Sequence, residues 1–211
     1  PGVFFGVGPD APFTAQHGLR KIGKVGRGVT GTRVRYWPDR QIFLAGAQLS
    51  LPHLIERARQ TSFLVPGLEL VVTDERGEEP TTEQFRHDGG IAEFADYLAT
   101  DPPVTDVIRI QGHESFTETV PMLDENGAMT PTDVGRDLFV GIAVRWGTGY
   151  DVVERSFVNI VATPKGGTHV QGFERGLLKA FLGGLDGTRL LKSGDDIIKD
   201  DVLEGMTAVV T

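Results

Sequence analysis

The run Gly23-Lys24-Val25-Gly26-Arg27-Gly28-Val29-Thr30-Gly31-Thr32 carries the most suggestive local chemistry in the chain. Glycines let backbone N–H groups approach an anion, and Lys24 and Arg27 add positive charge. A glycine-rich turn joining two strands, its basic residues in solvent, explains the same run. Gly166-Gly167-Thr168-His169 is open to a similar pair of readings, a phosphate cradle at a helix start or a tight strand-to-helix turn. Asp195-Asp196 and Asp200-Asp201 have the charge to hold a divalent cation. Carboxylates are equally at home at a helix N-terminus, where the backbone dipole favours them. His17, His53, His87, His113 and His169 are scattered without metal-ligand spacing. No Walker loop, His-Glu-x-x-His helix or Gly-x-Ser-x-Gly elbow is present. The residues by themselves name no catalytic group and no metal site.

Charge narrows the classes. The net charge of −8 is unevenly spread: residues 1–43 hold seven Lys/Arg against two Asp, and the remainder fourteen against twenty-seven Asp/Glu. Phosphate neutralisation supplies most non-specific nucleic-acid affinity, so most of this surface should repel it. Anion binding is better sought in the basic N-terminal stretch. With no cysteine, disulfides, thiol nucleophiles and thiolate metal sites are excluded. The longest apolar run, Leu138 to Val144, is too short to span a bilayer, so no membrane partner is expected. A start at Pro1 and an end on strand-like Thr207 to Thr211 suggest a piece of a longer protein.

The elements that must position these residues follow from periodicity. A short strand is expected near Leu19 to Val25. Residues 31–37 alternate, with Thr32, Val34 and Tyr36 on one face and Arg33, Arg35 and Trp37 on the other, until Pro38-Asp39 stops the strand. Ser50 and Pro52 open a helix bearing Leu51, Leu54, Ile55, Ala58 and Ser62. Leu68 to Thr73 and Thr81 to His87 flank a polar turn as a hairpin. A short helix with Ile91, Phe94, Tyr97 and Leu98 follows Gly89-Gly90. Strands are expected at Val107 to Ile110, Leu138 to Trp146 and Val152 to Ala162, with Asp124 to Asp137 as a long hairpin loop. Thr168 and Gln171 have capping-box spacing ahead of a helix whose stripe is Val170, Phe173, Leu177 and Phe181. A polar connection, Asp186 to Asp201, leads to a last strand. The pattern predicts an α+β end-piece, a boundary near residues 88–104, and a sheet backed on one face by helices.

Five segments, taken in order, resemble the gyrase B / topoisomerase IV B family of bacterial type IIA topoisomerase ATPase subunits. They are Thr30 to Asp39 (Thr-Gly-Thr-Arg-Val-Arg-Tyr-Trp-Pro-Asp), Ser62 to Leu68, His87 to Leu98, Ser156 to Asn159 with Gly166-Gly167-Thr168-His169 and Gly172-Phe173, and Asp200 to Val210. The resemblance implies residues 1–88 as the C-terminal part of a GHKL (Hsp90-like) ATPase domain. Residues 89–211 would be an α/β transducer domain with a left-handed βαβ crossover. It implies ATP and Mg²⁺ as cofactors of the intact subunit, whose partners are duplex DNA, an A-type subunit in a heterotetramer, and a second copy through the ATPase gate. It also implies a cytoplasmic, nucleoid-associated setting in a bacterium. By the same resemblance the catalytic Glu, the Mg²⁺-binding Asn and the adenine-reading Asp lie upstream of Pro1. The Lys that reaches the γ-phosphate lies beyond Thr211. Thr32 would help hold the adenine through its hydroxyl, and the alternation puts Val34 on the same face as pocket lining. Trp37 and Asp39 read as structural. The chain departs from the family at Asn159-Ile160-Val161-Ala162-Thr163, at Lys165 and at Glu174, and its 124–137 stretch is long. These departures lean towards the topoisomerase IV-like branch without deciding it. A reading of another class, a non-catalytic α/β interaction module, stands beside it.

Overall fold

The computed structural model describes residues 22–29, 43, 46–123, 128–186, 188 and 196–211. The chain forms two compact units, Pro1–Ser50 and Leu51–Thr211. In the first, residues 22–29 are exposed and turn at Arg27-Gly28, where the Val29 amide donates to the Gly26 carbonyl at 3.1 Å. The strand expected near Leu19 to Val25 is absent from its described part, Ile22 to Val25. The glycines there favour the turn. The strand read at 31–37 lies outside the described residues.

The second unit opens with helix α1, Leu51–Leu64. Leu51, Ile55, Ala58 and Ser62 are covered to different degrees, while Leu54 is exposed. Pro66 and left-handed Gly67 stop the chain continuing as helix. Strands β1, Leu70–Asp74, and β2, Thr81–Phe85, form the expected hairpin, in register from Leu70↔Phe85 to Asp74↔Thr81. Helix α2, Gly90–Leu98, follows.

The remaining strands make one sheet of five. They are β3 (Ile108–Leu123), β4 (Met129–Trp146), β5 (Val153–Val158), β6 (Val161–Ala162) and β7 (Met206–Val210), in the order β3-β4-β7-β5-β6. β7 runs antiparallel to β4 and parallel to β5. The β5-to-β7 crossover carries helices α3, Thr168–Leu185, and α4, Lys199–Leu203.

Side-chain alternation on β4 and β7 assigns the two faces. Ala143 and Val209 join Phe157 of β5 in a core with Phe63 of α1 and Ala92, Phe94 and Ala95 of α2. Ile142, Val144, Met206, Ala208 and Val210 pack instead with Phe173 of α3 and Leu203 of α4. Helices therefore cover both faces, and the single-faced arrangement expected from sequence is corrected. β7 is buried along its whole length because it is central and covered twice. Burying a side chain such as Phe63 or Phe157 fully stabilises the fold by about 1.5–3 kcal/mol.

Three further expectations change. Residues 129–137 of the stretch read as a long loop are strand: the β3–β4 ladder runs unbroken from Ile108↔Val144 to Leu123↔Met129. The Val152 to Ala162 run is split by Asn159, whose positive φ of 56° turns the chain between β5 and β6. Thr168 is the first helical residue rather than the cap. Gly167 holds the cap position with no side-chain hydrogen bond.

Candidate functional site

Thr32, Val34, Trp37 and Asp39, the segment expected to wall a nucleotide pocket, lie outside the described residues. The described geometry instead concerns the segments that join β5, β7 and α3.

Ser156 points away from Phe157 and is buried. Its Oγ lies 2.7 Å from Thr163 Oγ1, which in turn lies 3.3 Å from His169 Nε2. This hydroxyl–hydroxyl–imidazole chain fastens the end of β5 to the first turn of α3. Between them Gly166 takes a φ of +70°, which lets the chain reverse into the helix. The Gly166-Gly167-Thr168-His169 run thus builds a strand-to-helix turn, closed by a Gly166 amide donating to the Thr163 carbonyl at 2.8 Å.

The last signature, residues 200–210, enters beside it. The Asp201 carboxylate accepts the Ile198 amide at 2.9 Å, so these acidic residues serve the N-terminus of α4. Gly205, at φ +71°, returns the chain into β7, and its carbonyl accepts the Gly147 amide at 2.9 Å. Trp146 Nε1 donates to the Val202 carbonyl at 2.9 Å. These bonds lock the β4 exit, the α4 end and the β7 start together.

A polar link on the opposite face ties α2 to the sheet. Arg145, 7% exposed, donates through Nη1 to Asp96 at 2.7 Å and through Nη2 to the Asp101 carbonyl at 3.2 Å. His87 stacks on Phe63 with ring centres 3.6 Å apart, and its Nδ1 lies 2.8 Å from Glu93. That hydrogen bond, foremost, holds the Glu93 carboxyl below its usual range, with further help from the Gly89 amide. Glu154 goes the other way. Burial raises it first and the Glu174 carboxylate adds to this, against the pull of Lys199.

The hydroxyl–imidazole contact described, Thr163 Oγ1 to His169 Nε2, is part of the strand-to-helix joint. Among the described residues no three His, Asp or Glu side chains stand close enough to share a metal ion. Asp196 and Asp200-Asp201 do not form such a set. The described contacts are hydrogen-bonded joints between strands and the helices that follow them.

Two surface features have no counterpart in the sequence patterns. One is the ribbon made by β3 and β4 beyond the sheet. The other is the outer side of α3. There Glu174 is engaged by Lys199 at 3.1 Å, whereas Arg175 and Lys179 face solvent.

Known proteins share this arrangement. A family model for DNA gyrase B matches residues 90–211. The B subunit of DNA topoisomerase 4 from Enterococcus faecalis is 34% identical over 92% of the chain and 25% of its own length. The B subunit of DNA gyrase from Streptococcus pneumoniae is 30% identical over 86% of the chain and 25% of its own length. The chain thus spans about a quarter of the curated relatives it matches. The 43K ATPase domain of Thermus thermophilus gyrase B, solved in complex with an aminocoumarin, superposes with a TM-score of 0.68 at 28% identity. That match covers 92% of this chain and 48% of the other. The gyrase B-subunit structure from Myxococcus xanthus shares the fold, with a TM-score of 0.57 at 23% identity over 88% of this chain and 48% of the other. With the family model covering more than half of its length and the joints of β5, α3 and β7 built from the signature segments, the chain belongs to the DNA gyrase B family.

Proposed function

We propose that this chain serves within the ATP-hydrolysing subunit of a bacterial type II DNA topoisomerase, coupling nucleotide binding and hydrolysis to DNA strand passage. The observation that carries this reading is structural as well as sequential. The segments that carry the resemblance form two hydrogen-bonded joints, one fastening β5 to α3 and one fastening the β4 exit to α4 and the start of β7. In this reading residues 1–88 end the ATPase domain and residues 89–211 are the transducer. ATP, Mg²⁺, duplex DNA and an A-type subunit act on the intact subunit, which pairs with a second copy through its ATPase gate. Such a subunit works in the bacterial cytoplasm, at the nucleoid. The test is reconstitution of the intact subunit with its A-type partner on plasmid and catenated DNA. ATP-dependent change in linking number or decatenation is expected; absence of both would remove the assignment.

Thr32 and Val34 are proposed as one wall of the nucleotide pocket, Thr32 hydrogen-bonding the adenine and Val34 lining the same face. Thr32→Val in the intact subunit removes one hydrogen-bonding group, worth about 0.5–1.5 kcal/mol net. Nucleotide affinity should fall by up to about tenfold with the fold intact. Calorimetry showing unchanged affinity would leave Thr32 without this role. The 211-residue chain alone should show no ATP turnover, since the resemblance puts the catalytic Glu and the γ-phosphate Lys outside it. Phosphate release above the buffer rate would contradict that placement.

A further inference from the structure

Among the described residues Arg145 is the only Lys, Arg, Asp or Glu that is buried. It stands on the face of β4 that carries Ala143, paired with Thr207 of β7. Taking a guanidinium out of water is costly, and a buried ion pair returns little net stability. Its distinguishing property is geometric. Apolar surfaces in contact tolerate sliding, whereas a charge-assisted hydrogen bond has one length and one direction.

Both bonds of Arg145 go to the C-terminal end of α2, one to the Asp96 carboxylate and one to the carbonyl of Asp101 just beyond the helix. Its Nε is buried with no hydrogen-bond partner among the described residues. The Asp101 carboxylate, near enough to compete for it, lies instead against Gly149 in the turn after β4. A guanidinium placed for stability alone would have every donor met; this one is aimed at α2. The other contacts of α2 with the sheet are apolar. Phe94 lies between Phe63 of α1, stacked at 4.7 Å, and Phe157 of β5, tilted at 6.1 Å. On the α1 side Arg59 also donates to the Tyr97 hydroxyl at 3.0 Å. Among the described residues the Arg145–Asp96 pair is the one side-chain hydrogen bond between α2 and the sheet. On its aromatic seat α2 can slide; at Asp96 it cannot move without breaking that bond.

We propose that Arg145 is a positioning residue: it fixes α2 on β4 so that a movement of α1 reaches the sheet, and without it ATP turnover and DNA strand passage come apart. This rests on the topoisomerase reading, in which α1 belongs to the end of the ATPase domain and α2 opens the transducer. The route runs from α1 to α2 through Phe63 and Arg59, and from α2 to β4 through Asp96 and Arg145. The next residue of β4, Trp146, is bonded to the Val202 carbonyl of α4. The strand that Arg145 fixes on one face is thus tied to the helix layer on the other.

The test uses the intact subunit with its A-type partner, reading phosphate release and strand passage in the same mixture. Arg145→Met breaks the link from the sheet. Asp96→Ala breaks it from α2, and water takes the lost place because the Asp96 side chain is 58% exposed. Both variants should hydrolyse ATP at the wild-type rate while strand passages per ATP fall by about fivefold or more. The double variant should lose no more than Arg145→Met alone, because the two side chains form one link. Arg145→Lys, which keeps the charge and one bond, should fall between. Circular dichroism shows whether each variant is folded, and Asp96→Ala decides the matter should Arg145→Met fail to fold. Unchanged passages per ATP, equal losses of ATP turnover and strand passage, or additive losses in the double variant would each overturn the proposal. A wild-type subunit without ATP-dependent strand passage defeats the topoisomerase reading before any variant is made, so the two failures are told apart.

Discussion

At the scale of single residues, Glu154 has the clearest consequence. Burial and the Glu174 carboxylate raise its pKa, so between the unfolded and folded values the native protein binds more protons than the unfolded chain. Stability therefore falls as pH rises through that window and the cost persists above it. Below the ordinary glutamate range both states are protonated and the cost vanishes. Glu154→Gln should raise the melting temperature at pH 7 and leave it near wild type well below about pH 4. A lower melting temperature at neutral pH would show that Lys199, the opposing influence, dominates. Residues of this kind are not legible in a sequence. Glu154 is ordinary until the fold sets it beside Glu174 and Lys199, and His169 is one scattered histidine until Thr163 and Ser156 reach it.

At the scale of elements, Gly205 shows how a strand is started. Its φ of +71° is unfavourable for any residue with a Cβ. A Cβ there would stand 2.5 Å from the Gly149 carbonyl oxygen and 2.9 Å from that of Gly147. Gly205→Ala adds backbone strain and displaces a turn that holds the β4 exit, for a loss of about 1–3 kcal/mol. Thermal unfolding should move down by several degrees; an unchanged midpoint would mean that the turn yields freely. The same scale shows where sequence patterns failed. The α2 and α3 helices and the β1–β2 hairpin are legible because each covers one face, which writes a period into the chain, although Tyr97 and Phe181, read into those stripes, lie exposed. The β3–β4 ribbon buries neither face beyond Val140, and both strands carry a proline, at Pro121 and Pro131. Polar residues therefore interrupt its alternation and its second strand reads as loop up to Asp137, although backbone pairing alone continues the strands. β7 was found as a strand but not as the centre of the sheet, since five buried residues say nothing about which neighbours bury them.

At the scale of the whole molecule, the unit from Leu51 to Thr211 has a gradient of protection from its centre to its arm. β7 is covered on both faces, so its amides open only when both cores are broken. The ribbon from residue 112 to 139 is held by one ladder and exposed along nearly all its length. Local opening is cheap where few apolar contacts are lost. Hydrogen exchange in dilute solution should therefore show peptides from 206–210 exchanging last, close to the rate of global unfolding. Those from 112–123 and 129–139 should exchange orders of magnitude faster. Equal protection in the two regions would mean that the ribbon belongs to the cooperative core, against its exposure.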